Sequence, residues 1–364
     1  MKDEQPDNQS EQKRTEPALT PLGTPQEPPI RSREGDIIHT SPELIVGEAD
    51  VRSAEMGVQE PLAGTSLWKD AWRRLLKNKL AVFGMIVVGI VLLASLVGPF
   101  IVERATGFSY DTIPQNMEIT RAMPPFRDIH GNFSALHPMG TDPSGRDLLA
   151  RVLIGGRISL MVGIISTLVS LLIGVTFGAT SGYLGGRVDT VMMRIVDVLY
   201  ALPYMMIVIV LLAFFGGKSP LGQLVLLFIA LGAVSWLTMA RIVRGQVISL
   251  KNQEFVMAAR ATGVSTSRII FRHLVPNTLG PVIVYATLTI PQVMLQEAFL
   301  SFLGLGVQAP LASWGSLASE GIQNIAIFPW QLIFPGVTMA LTLFSMNFLG
   351  DGLRDALDPQ MRKT

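Results

Sequence analysis

Two places in this sequence carry residue types that do chemistry elsewhere. Gly217-Lys218-Ser219 has the ending of a phosphate-binding loop, in which the lysine reaches the phosphates and the hydroxyl a magnesium ion. Such a loop needs a glycine five positions before the first of these residues, where this chain has Leu212, and it joins a strand to a helix rather than two apolar runs. No ATP site is encoded there. His137, Asp142 and Asp147 are metal-ligating types lying close together, but a turn at Asp142-Pro143-Ser144-Gly145 explains them more simply. The four histidines, His39, His130, His137 and His273, show no HxxxH spacing, so no metal site is expected. Serine hydrolysis within a membrane needs a serine with a buried His or Lys, and no apolar run contains either. With no cysteine in the chain, thiolate ligation, disulfides and a cysteine nucleophile are excluded. Arg194 and Asp197 are one helical turn apart and read as a structural pair rather than a proton relay. Glu297 ends an apolar run and faces either a pathway or the membrane interface.

The elements that must position these residues are membrane helices. Only 16% of the 364 residues are charged, and the mean hydropathy is +0.42, too apolar for a soluble chain of this length. The net charge is +1, with the bases spread along membrane flanks rather than pooled, which gives no nucleic-acid surface. The expected fold is all-α and polytopic, with six transmembrane helices at about 80–102, 158–183, 194–217, 219–240, 274–297 and 329–350. Residues 1–66 are polar, without sustained apolar periodicity, and read as a disordered tail with no basic-then-apolar leader. Residues 67–79 alternate Leu67, Trp68, Trp72, Leu75 and Leu76 with five bases. They form either an amphipathic helix in the lipid headgroup plane or the basic flank that orients the first span, and the two readings are compatible. Residues 103–157 read as an external loop, and 298–328, broken by Gly304, Gly306, Pro310 and Gly315, as an external re-entrant loop. Gly163, Gly174 and Gly178 would let the second span approach its neighbours closely.

The longest hydrophilic stretch between apolar runs in the second half is 241–276, with six bases and one acid, Glu254. Good helix formers run from Gln253 to Thr262, Gly263 breaks them, Ser265 and Thr266 are caps for a second short helix to about His273, and Pro276 closes it. With both termini inside, the internal segments hold sixteen bases and the external ones seven, which satisfies the positive-inside rule and places this helix–turn–helix in the cytoplasm.

Ala258-Ala259 and Gly263, with Pro276 thirteen residues on, resemble the EAA loop of ABC-importer permease subunits. His137-Pro-Met-Gly140-Thr141-Asp142-Pro-Ser-Gly145-Arg146-Asp147, continuing through Arg151 to Gly156-Arg157-Ile158, looks like the external signature of the oligopeptide, dipeptide and nickel branch. Leu300-Ser-Phe-Leu-Gly-Leu-Gly306, Ser313-Trp314-Gly315 and Asn347-Phe-Leu-Gly-Asp-Gly-Leu-Arg354 with Asp358-Pro359 are similar to its C-type subunit. The resemblance covers residue 68 to the end. It implies a non-catalytic permease of the bacterial inner membrane that pairs with a homologous B-type permease, receives substrate from an external binding protein, and docks two cytoplasmic ATPase subunits. ATP and magnesium then belong to those partners, and this chain holds no cofactor. Peptides are the expected cargo, with nickel complexes, glutathione or another small solute as the alternative. A secondary transporter or a membrane enzyme would need buried ionisable clusters that the spans lack. The expected coupling residues are Glu254, Ala258, Ala259, Arg260, Gly263, His273 and Pro276, the two small alanines admitting an ATPase groove. On that reading a tryptophan at Ala259 would block docking and leave insertion intact. One departure stands out: the glutamate of the general EAA pattern falls on Met257. Glu254, one turn earlier, either takes its place or is a solvated charge.

Overall fold

The computed structural model describes residues 67–114, 122–128, 130–216 and 219–357. The tail at 1–66, Lys218, and Arg362, Lys363 and Asp358-Pro359 lie outside the described residues. The rest is almost entirely helical: α1 (Leu67–Lys77), α2 (Lys79–Thr106), α3 (Leu148–Leu184), α4 (Gly186–Ala201), α5 (Tyr204–Phe215), α6 (Pro220–Leu250), α7 (Glu254–Ala261), α8 (Leu279–Phe302), α9 (Trp314–Gln323) and α10 (Trp330–Leu357). Among the described residues five helices are long and apolar enough to cross a membrane, and α4 with α5 makes a sixth if that pair, bent by 80°, is one span.

The helices depart from the sequence reading at several ends, and at some of these a cap or a proline is responsible. The second span was expected from 158, but α3 begins ten residues earlier. The Asp147 carboxylate accepts the Ala150 N–H at 2.7 Å and starts the helix there. Its 37 residues rise about 55 Å, well beyond the roughly 30 Å of hydrocarbon, so α3 extends beyond the bilayer. The third span is not continuous. Pro203 lacks an N–H and forces the preceding residue out of the helical region; Leu202 is extended at φ −80°, ψ 142°, and the chain bends. α6 runs to Leu250 rather than stopping at 240, so Arg241 and Arg244 are helical rather than loop residues. α8 runs on to Phe302, and the expected re-entrant segment contains α9, whose Ser313 and Ser316 form a capping box. At about 15 Å, α9 is too short to span.

α3 and α6 form the centre, and glycines of α3 bring the two helices close at their contact. A Cβ on Gly174 would lie 2.6 Å from the Met239 Cβ, and one on Gly182 would lie 2.8 Å from the Arg244 carbonyl oxygen. Val162, Leu227, Leu231 and Leu300 are buried around that seam. α2 leaves most of its surface open and meets α10 through Ala81 and Gly84. α1 is not wholly given to lipid: Ala71 and Leu75 pack with Ala356, Leu349 and Leu353 at the end of α10, while Trp72 and Leu76 are exposed.

Candidate functional site

The helix–turn–helix at 254–277 is built as its sequence suggests up to the turn. α7 ends in a left-handed Gly263 at φ 74°. The Gly263 N–H donates to the Arg260 carbonyl and the Val264 N–H to the Ala259 carbonyl, at 3.0 and 3.1 Å, the paired bonds that close a helix through glycine. The second half differs from expectation. Ser265 occupies the cap position without a side-chain hydrogen bond. Thr266–Arg268, a π-helical Ile269–Leu274 and Val275–Asn277 follow as successive helical turns, so Pro276 lies within the coil rather than ending it. The wider π turns accommodate a ring that lacks an N–H, and the Asn277 side chain donates to the His273 carbonyl at 2.6 Å.

The small residues at the centre of this motif point in opposite directions. Ala259 is 8% exposed and packs with Val256, Ile269 and Ile270 against Val175, Val243 and Val247. Ala258 is exposed, together with Glu254, Phe255, Met257 and Phe271. The expectation that both alanines face a groove therefore fails for Ala259, whose missing bulk serves contact within the chain. Size alone assigns both to the groove, whereas adjacent residues of a helix point to different sides.

Four of the six bases in 241–272 are held by the chain itself. Arg241 pairs with Asp197 at 2.8 Å and covers the Tyr200 ring at 4.4 Å from its centroid. Arg244 binds both oxygens of Asp189, each at 2.6 Å, and the Ser181 hydroxyl also donates to that carboxylate. Lys251 donates to the Gly182 carbonyl at 3.0 Å, and Arg260 to the Tyr183 hydroxyl at 3.2 Å. Asp197 thus takes Arg241, across from it on α6, and not the expected Arg194 of its own helix. These bonds tie α7 and the end of α6 to the α3–α4 corner, so that the motif is braced against two helices.

The signature at 137–147 is a folded loop. His137 Nδ1 lies 2.7 Å from Asp147, the residue that caps α3. Asp142 Oδ1 accepts the Ser144 and Arg146 backbone N–H groups, and Oδ2 accepts Arg146 Nε and Arg151, each at 2.7 Å. Arg151, 2% exposed, reaches on to both oxygens of Glu320 on α9. Thr141 exchanges hydrogen bonds with Met123, and its carbonyl accepts Gln331 Nε2 at 3.2 Å. Gly140 and Gly145 are left-handed at φ 76° and 77°, and a Cβ on Gly140 would collide with the Met123 carbonyl. Among the described residues no group of three His, Asp or Glu side chains converges as metal ligands. Sequence reasoning found the loop but missed Glu320, whose partnership with Arg151 spans 169 residues.

Glu297 belongs to neither a pathway wall nor the interface. It is 1% exposed, and its Oε1 accepts the Ser301 and Ser313 hydroxyls at 2.6 and 2.7 Å. Beside it the Trp314 N–H donates to Ser159 at 3.0 Å and its indole to the Val152 carbonyl at 2.9 Å, locking α9 onto α3. Glu297→Leu strands two buried hydroxyls and should cost about 1–3 kcal/mol, while Glu297→Gln keeps the acceptor. Thermal unfolding of the purified protein checks this; equal losses for both variants would refute it.

Comparison with known proteins places the chain in a family. Residues 66–125 match the N-terminal TM domain of oligopeptide transport permease C. The chain is 50% identical over 299 residues to the oligopeptide transport system permease protein OppC of Escherichia coli (strain K12), covering 82% of this chain and 93% of that one. Its identity to OppC of Haemophilus influenzae is 48% over 301 residues, covering 83% and 91%. The dipeptide transport system permease protein DppC of Bacillus subtilis (strain 168) is 45% identical over 299 residues, covering 82% and 87%. With residues 174–363, which hold the helix–turn–helix and all that follows it, matching the binding-protein-dependent transport system inner membrane component, the chain belongs to that family of multi-pass permeases.

Proposed function

We propose that this chain is the C-type permease subunit of an ATP-driven importer of di- and oligopeptides. The relatives that match it across four fifths of its length are named for oligopeptide and dipeptide transport. It forms half of the translocation pathway beside a homologous B-type permease, takes peptides from an external binding protein, and docks two cytoplasmic ATPase subunits, which bind the ATP and magnesium. Its termini and the 254–276 loop face the cytoplasm, in accord with the distribution of basic residues.

The exposed face of that loop carries the ATPase assignment. Ala258 is open between Glu254, Phe255 and Met257, and Arg268 and Arg272 are exposed a few residues on. An apolar strip with a small residue at its centre and charges at its rim suits a helix laid in a groove. Glu254 lies on this face, in position to replace the acid absent at Met257. Arg260, His273, Gly263 and Pro276 act behind it by fixing the corner.

Ala258→Trp is therefore expected to leave the permease in the membrane at normal amount and to cut ATPase co-purification at least tenfold, about 1.4 kcal/mol. Ala259→Trp, buried against α3 and α6, should lower the amount of folded permease instead. Undiminished ATPase recovery with Ala258→Trp would refute the docking face.

A further inference from the structure

One cavity, of about 230 Å³, lies where the bent pair α4–α5 meets α6 and α8. Its lining holds no charged side chain, yet it is not apolar. Tyr200 and Tyr204 flank the break at Leu202-Pro203, and α8 contributes Tyr285, Thr289, Gln292 and Gln296. The spacing of the last four, successively four, three and four residues, places them on one helix face. Along the helix axis the stripe measures about 16 Å.

Gln292 and Gln296 have no hydrogen-bond partner among the described residues. An amide in a spanning helix is costly to leave unmatched, and the cost disappears if the face it lines is wetted or occupied by a polar ligand. Tyr200 is fixed from behind by the Arg241 guanidinium, which is itself held by Asp197, so one wall of the cavity is pinned by an ion pair outside it.

We propose that this neutral stripe is the chain's peptide-binding wall and that it recognises main chain rather than side chains; this rests on the peptide-importer reading above. An extended peptide presents an N–H and a C=O at about 3.3 Å per residue, so a 16 Å stripe faces four to five residues. Glutamine amides offer a donor and an acceptor together, and tyrosine hydroxyls do likewise, matching what every peptide carries whatever its sequence, while the buried Thr289 hydroxyl donates to the Tyr285 carbonyl at 2.8 Å and only spaces the stripe. The absence of fixed charge from the lining keeps cationic and anionic side chains on equal terms. Discrimination by side-chain charge is then something a single substitution can create.

The test uses the complete transporter, with its partner permease, ATPase subunits and binding protein, in proteoliposomes. Uptake of Ala-Lys-Ala and Ala-Glu-Ala is measured for wild type, Gln296→Glu and Gln296→Lys. Relative to wild type, the Lys-to-Glu uptake ratio is expected to rise about fivefold with Gln296→Glu and to fall about fivefold with Gln296→Lys. Ratios within twofold of wild type in both variants would overturn the assignment. The same pair at Gln292, one turn away, supplies the reading if a Gln296 variant does not assemble. A wild-type complex that imports neither peptide would instead overturn the peptide-importer reading, and this wall with it, which distinguishes the two failures.

Discussion

Arg151→Met is expected to destabilise the permease by about 3 kcal/mol, measured as thermal unfolding of the purified protein in detergent. Arg151 is 2% exposed and joins three parts of the chain: it extends from the first turn of α3, binds Asp142 of the signature loop and forks onto Glu320 of α9. Truncating one member of a buried pair costs roughly 3–5 kcal/mol because the other charge is left uncompensated. The lower end applies here. Asp142 keeps Arg146 and two backbone N–H groups, and Glu320, about half exposed, returns to solvent. Arg151→Lys should recover only part of the loss, since one ammonium cannot reproduce the fork onto Glu320 while also reaching Asp142. Asp142→Asn combined with Arg151→Met should lose less than the two single variants added together, because the stranded carboxylate is gone. An unfolding temperature for Arg151→Met equal to that of wild type would mean that the network contributes nothing.

That network also marks how far the sequence can be read. The turn at Asp142 within the 137–147 loop was legible, because glycine and proline punctuate the backbone locally. The start of α3 was not. Arg151 and Arg157 make its first turns look like loop, and only Asp147 as cap and Glu320 as partner explain how charges enter that helix. The break at Pro203 was not read either: the third span looked continuous over 194–217 because its apolar run is unbroken, and the 80° bend depends on packing. Ala259 shows a different limit. Small residues at adjacent positions in a helix point to different sides, so composition could not say that one serves the chain's own core and its neighbour an outer face. The basic character of 241–272 was plain, yet the use of four of its bases to brace the α3–α4 corner required the fold, since the partners are 44 to 77 residues away.

Gly178→Leu is expected to reduce the yield of monodisperse permease at least tenfold. Gly174, Gly178 and Gly182 recur at every fourth position and line the face of α3 that meets α6. At Gly178 a Cβ would run into the carbonyl of Ala240, itself fully buried, and the obstacle is backbone rather than a side chain that can rotate away. Two packed helices cannot yield locally, so the whole seam must open. Overpacking commonly costs about 1–3 kcal/mol where side chains can rearrange, and this site has no such relief. Separation would also pull Lys251 from the Gly182 carbonyl and Arg244 from Asp189, removing the braces that hold the loop at 254–276. Gly89 supplies the control, because a Cβ there meets nothing within 4 Å and Gly89→Leu should behave as wild type. Size-exclusion profiles of the two variants, made at equal expression, decide the matter. A Gly178→Leu protein as abundant and monodisperse as Gly89→Leu would show that α3 and α6 do not rely on this contact. A loss confined to Gly178→Leu would locate the permease's central seam at a position where the useful property is the absence of a side chain.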